Sequence, residues 1–207
     1  KSGPVVQMSW WSSIRSTVQL VRMFPTLREA AILGGVFFSC FSAFWTTLVF
    51  FLRTPPYHYG SAVAGSFGLV GAAGAAGAPL IGRLADRYGA RRNVLIGLLT
   101  ALFSFFLLYI FGQKLWGLIV AVVLLDLGVQ AGHVSNQTRI YSLAPEARSR
   151  LNMVYMVCYF VAGAAGSYVG TILWTRFGWS GVCFGSMAIL TLGLLVYVAS
   201  SRNSKTQ

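Results

Sequence analysis

Acidic side chains are nearly missing from this chain: four Asp and Glu stand beside sixteen Lys and Arg in 207 residues, and charged residues amount to only 10%. A soluble domain carries about 25% charged residues, so a water-facing surface on all sides is excluded. Histidine is almost as scarce, with two copies, and cysteine has three. Cys40, Cys158 and Cys183 lie far apart inside apolar runs, without metal-ligand spacing, and read as small buried apolar residues. No His and carboxylate pair has metal spacing, no lysine-ended Gly-rich phosphate loop is present, and no apolar run carries a serine elbow. Enzyme chemistry, a metal site and a cofactor are therefore not expected. No secretory leader is visible, and a first residue other than Met suggests a fragment or a processed chain.

Long apolar runs are what the sequence has. Apolar residues make up 56% of it. Ala30 to Leu52, Tyr57 to Gly82 and Leu151 to Thr175 contain no Lys, Arg, Asp or Glu. About 20 apolar residues in helical form cross the hydrocarbon core, whereas barrel strands alternate over roughly ten. Peptide groups in lipid must be bonded within their own segment, which leaves the helix. The expected fold is an all-α membrane protein, a six-transmembrane-helix bundle, with a domain over residues 28–200 and spans near 28–52, 59–82, 93–111, 115–138, 151–174 and 179–200.

Outside that domain, residues 1–27 are expected to be a cytoplasmic linker. Within it Trp11, Ile14, Val18 and Val21, with Trp10 beside them, form the stripe of an amphipathic helix at the membrane surface. Pro25 then resets the chain and Thr26 is expected to cap the first span. Residues 201–207 form a cytoplasmic tail.

The net charge of +12 is distributed unevenly. Lys1, Arg15, Arg22, Arg28, Arg83, Arg87, Arg91, Arg92, Arg139, Arg148, Arg150, Arg202 and Lys205 fall on one side of the six spans; Arg53, Lys114 and Arg176 fall on the other. Lys and Arg concentrate in short cytoplasmic loops, so a multi-pass protein of the plasma membrane with both termini cytoplasmic is expected. The basic residues then report orientation and contact with lipid headgroups, not nucleic acid.

Glycine spacing marks two helices. Gly65, Gly68, Gly71, Gly74 and Gly77 recur every three residues in the second span, and Gly163, Gly166 and Gly170 stand at spacings of three and four in the fifth. Faces this small allow close backbone approach, and smooth faces also suit helices that rock during gating.

Chemistry within the spans is sparse. Asp126 is the acidic residue placed well inside one, where a charge is costly and normally faces the bundle interior or a water-filled cavity. Gln130, His133 and Gln137 continue its helix face at spacings of four, three and four, one wall of a polar cavity. His133 carries a side chain of the type that exchanges protons near neutral pH. Trp45, Tyr109, Tyr155 and Tyr159 add rings with polar handles for an amphipathic ligand. Substrate or proton binding is assigned to Asp126, Gln130, His133, Tyr155, Tyr159 and Trp45, each of which also has an ordinary packing role open to it.

Between the second and third spans stands Gly82-Arg83-Leu84-Ala85-Asp86-Arg87-Tyr88-Gly89-Ala90-Arg91-Arg92. This resembles the loop signature of the major facilitator superfamily. The segment Asn136 to Asn152 resembles the loop between helices ten and eleven of bacterial drug- or sugar-efflux members, and the start of the chain resembles the linker between that family's two halves. The resemblance implies the C-terminal six-helix half of a secondary transporter. In that frame Gly82, Asp86, Arg87, Gly89, Arg91 and Arg92 form a gating loop, with Asp86 meeting a helix start of the missing N-terminal half. It also implies small-molecule transport, by proton-coupled efflux and antiport through alternating access, in a bacterial inner membrane. Implied partners are the substrate, protons, membrane lipids, and the N-terminal half or a second copy of the chain. A non-transporting membrane scaffold or partner subunit is the competing expectation.

Overall fold

A computed structural model describes residues 19–75 and 89–203, with Arg83 and Arg87 between them. The expected surface-helix residues Trp10, Trp11, Ile14 and Val18 therefore lie outside the described residues, as do Gly74's side-chain surroundings, Gly77, Gly82, Asp86 and the tail beyond 203.

Every apolar run in the described residues resolves as helix. After a short helical stretch at 19–23, α1 is Pro25–Arg53, α2 is Ser61–Ala75, α3 is Ala90–Phe111 and α4 is Leu115–Tyr141. A single 3-10 turn, Pro145–Ala147, leads into the helical run Arg148–Asn203. That run is two rods. Gly178 sits at φ 63° and ψ −155°, a left-handed backbone that glycine adopts without Cβ cost, so we treat 148–177 as α5 and 179–203 as α6. Among the described residues, four stretches are long and apolar enough to cross a membrane: α1, α3, α4 and Pro145–Ser201, the last containing both rods. Among the described residues the chain is an all-α bundle.

Pro25 occupies the start of α1, where its missing N–H costs nothing. The cap position is Phe24 and carries no side-chain hydrogen bond. Thr26 is thus inside the helix, not capping it as the sequence suggested: proline one residue earlier already fixes a helical φ and starts the helix upstream of the hydroxyl.

The ends of the bundle differ. At one end the connections are sealed by aromatics: Phe51 stacks on Trp179 at 3.9 Å, and Trp174 and Tyr57 meet Phe51 edge-on. Tyr57 Oη donates to the Gly112 carbonyl at 2.7 Å and Trp179 Nε1 to the Leu108 carbonyl at 3.1 Å. Burial pushes the Tyr57 phenol up to about 12, so this donor keeps its proton across the neutral range. The opposite end, where α1 and α3 begin and α4 and α6 finish, is polar.

Glycine packing follows the sequence in α5 and departs from it in α2. A Cβ on Gly166 would fall within the backbone of Ser39, and one on Gly170 would stand 2.8 Å from Ala43 Cα, so α5 lies directly on α1. Gly65 and Gly68 instead face open space. At these two glycines no described backbone comes close to α2. Cys158 is exposed, against the expectation of burial: the α1 residue beside its carbonyl is Gly35, which has no side chain to cover the thiol. Tyr109 is also exposed, packed on Phe184 at the surface.

This contrast gives a testable pair. Gly166→Ala should cost about 1–3 kcal/mol, the usual range for overpacking, because rigid backbone and not a movable side chain receives the methyl. Gly65→Ala should be neutral or slightly stabilising through helix propensity. Unfolding in mixed micelles measures both, and equal effects at the two positions would contradict the α1–α5 contact.

Candidate functional site

Three groupings collect the chemistry-bearing side chains. The first lies where α1, α2 and α4 meet. Among the described residues, Asp126, only 6% exposed, has an Oδ2 with no hydrogen-bond partner, and the buried Nε1 of Trp45 also has none. Both flank one residue: a Cβ on Gly71 would stand 3.0 Å from Trp45 Cζ2 and 3.3 Å from Asp126 Oδ2. An unpaired acceptor and an unpaired donor thus border the same small-residue surface. Buried polar atoms are ordinarily bonded, so such a pair has capacity for a proton, a water or a ligand group. Here the small face of α2 has a definite consequence, since any side chain at Gly71 would press on both groups.

The second grouping is farther along α4. His133 Nδ1 and Tyr155 Oη share a hydrogen bond at 3.1 Å, the phenol donating when Nδ1 is unprotonated. The Tyr159 ring lies 4.8 Å from the imidazole and stacks on Phe38 at 4.1 Å. Tyr155 is fully buried, its ring seated against Gly34 of α1. Four-residue spacing puts both tyrosines on one α5 face, which is why α4 and α5 converge on the imidazole. Gln130 is half-buried between the two groupings. Gln137 turns instead to Asn152, whose Oδ1 accepts from Gln137 Nε2 at 3.4 Å and Tyr141 Oη at 2.9 Å. Of the six residues assigned to binding, Asp126 pairs spatially with Trp45, and His133 with Tyr155 and Tyr159.

The third grouping was not singled out from the sequence. Glu29, 7% exposed near the start of α1, accepts from Arg139 Nη2 at 2.9 Å and from Ser200 Oγ at 2.7 Å, and pairs with Arg91 Nη2 at 3.5 Å. Arg91 also donates to the Tyr197 carbonyl at 3.3 Å and lies 5.1 Å from the centre of that tyrosine ring. One carboxylate therefore ties α1, α3, α4 and α6 together. The signal available was an acidic residue immediately after Arg28 in a strongly basic stretch. Its partners are 62, 110 and 171 residues away, beyond any local pattern.

The loop residues fare differently. Gly82 and Asp86 lie outside the described residues. Arg87 and Arg92 are exposed, and Gly89 is exposed at φ 85° at the start of α3. Arg91 turns into its own bundle, as just described.

The chain matches the profile of the Major Facilitator Superfamily over residues 30–207. It is 42% identical over 171 residues to the "Uncharacterized transporter YgaY" of Escherichia coli O157:H7, covering 83% of this chain and 43% of that protein. Identity is 37% over 176 residues with the "Probable transporter SCO4007" of Streptomyces coelicolor, covering 84% and 40%. A "Probable sugar efflux transporter" of Helicobacter pylori is 26% identical over 130 residues, covering 62% and 33%. The chain thus spans about two fifths of the length of the first two relatives.

Proposed function

The chain belongs to the Major Facilitator Superfamily, and from that premise we propose that it forms the C-terminal half of a proton-coupled small-molecule exporter working by alternating access. The observation that carries this reading is the Asp126 and Trp45 pair: a buried carboxyl oxygen and a buried indole N–H, each without a partner among the described residues, on either side of Gly71. An intramembrane acid with spare bonding capacity suits alternate occupation by a proton and by a donor group of the substrate. The His133, Tyr155 and Tyr159 cluster supplies aromatic walls and one further polar contact, with Gln130 between the two. In this scheme a second six-helix unit closes the other side of the cavity, supplied either by the remaining length of such a protein or by another copy. Gly82, Asp86, Arg87, Gly89, Arg91 and Arg92 then form the gate against that unit. The excess of basic residues on one side supports the reading in which both ends of the 28–200 domain lie in the cytoplasm and the membrane is a bacterial inner membrane.

The experiment is flux in proteoliposomes containing the full-length protein, with an imposed pH gradient and a panel of cationic, sugar-like and nucleoside-like solutes. Movement of at least one solute that stops when the gradient is collapsed is the expected result. No gradient-dependent flux across the panel, with the protein folded and correctly inserted, would leave a non-transporting membrane scaffold as the better account.

A further inference from the structure

The polar end of the bundle holds a crevice of about 1100 Å³ that shares only Arg91 with the proposed gate. Its walls come from four elements. Arg28 and Glu29 lie at the start of α1, Arg91 at the start of α3, Arg139 and Ser142 at the end of α4, and Ser200 near the end of α6. Ile32, Leu143 and Val196 form an apolar side. Three guanidinium groups share this space with a single carboxylate, leaving two positive charges in excess among its lining residues. Two helices begin here and two end, so their dipoles largely offset and the arginines decide the sign.

The arginines are held rather than loose. Arg28 Nη1 donates to the carbonyls of Val21 and Arg22 at 3.2 and 3.0 Å, while Glu29 fixes Arg91 and Arg139. Among the described residues, the buried Arg91 Nε has no hydrogen-bond partner. A planar guanidinium with an unused N–H, beside further cations, matches the oxygens of a phosphate. Spanning helices end at headgroup depth, and basic pockets between helix ends suit lipid headgroups. The apolar side offers a place for the glycerol and first acyl carbons.

We infer that this crevice is a binding site for a phosphate monoanion or diester, held by Arg28, Arg91 and Arg139, with an anionic phospholipid headgroup or a free phosphate as its source. Glu29 acts here as a positioning residue: it holds two of the arginines and limits the net positive charge. The site stands independently of the transport reading.

The test uses the full-length protein in nanodiscs of phosphatidylcholine with graded phosphatidylglycerol, reading retained lipid by native mass spectrometry. Retention of phosphatidylglycerol over phosphatidylcholine is expected. It should weaken roughly fivefold in Arg91→Gln and by a similar factor in Arg28→Gln, the effect of one basic side chain near an anionic headgroup. Glu29→Gln keeps the side-chain shape and should strengthen retention, the opposite of what simple damage to the fold would do. Displacement of the lipid by inorganic phosphate, with the same arginine dependence, would identify free phosphate as the source. Equal retention of both lipids, or retention and phosphate binding insensitive to all three substitutions, would overturn the inference.

Discussion

Glu29→Ala is expected to destabilise the bundle by about 3–5 kcal/mol, the usual cost of removing one member of a buried ion pair. The Glu29 side chain is 7% exposed and that of Arg139 10%, so the cation left behind stays largely out of water. Arg91, at 32% exposure, can turn partly to solvent and contributes less. Ser200 loses its acceptor as well. The comparison with Glu29→Gln separates charge from shape: the amide still accepts from Ser200 but cannot neutralise Arg139, so its loss should fall between zero and that of alanine. Unfolding monitored by far-UV circular dichroism in mixed micelles provides the measurement. A change below about 1 kcal/mol for Glu29→Ala, the worth of an exposed surface pair, would show that the four-helix junction is held by apolar packing alone.

Transport should fail by a different route in Asp126→Asn. The substitution keeps the volume of the side chain while removing its ability to take up and release a proton. Its surroundings already leave Oδ2 without a bond, so the fold loses no partner, and stability should hold or rise slightly. Gradient-driven flux should nevertheless drop at least about tenfold, in line with the loss of a hydrogen bond to a charged group, ~1.5–3 kcal/mol. Flux that remains proton-coupled at the parental rate would remove Asp126 from the mechanism. Loss of flux accompanied by unfolding would instead assign it a structural role.

Glu29 and Asp126 show how differently two acids can be read from sequence. Asp126 sits in the middle of an apolar run, and the cost of a charge there marks it without any knowledge of neighbours. Glu29 sits one residue after Arg28 at the edge of a run, where a charge costs little in an isolated helix. Only when Arg91, Arg139 and Ser200 arrive from α3, α4 and α6 does its position become a buried one. Trp45 is similar: its ring was a candidate among several aromatics, and the approach of α2 through Gly71 is what distinguishes it from Tyr109, which faces outward.

The glycine pattern divides on the same principle. Spacing of three or four puts small residues on one helix face in both α2 and α5, but does not say what that face meets. Gly166 and Gly170 receive the backbone of α1, whereas Gly65 and Gly68 receive nothing.

By itself the sequence determined that the chain is helical and membrane-embedded, because peptide groups in lipid must find partners within their own segment and charge is too scarce for a wet surface. It also marked Asp126, since the penalty for an acid inside an apolar run is local. Tertiary structure alone decided which polar atoms are satisfied and which stay unpaired, how Glu29 joins four helices, and where the basic side chains enclose a crevice. Those properties depend on distances between residues up to 171 positions apart, which helix periodicity does not encode.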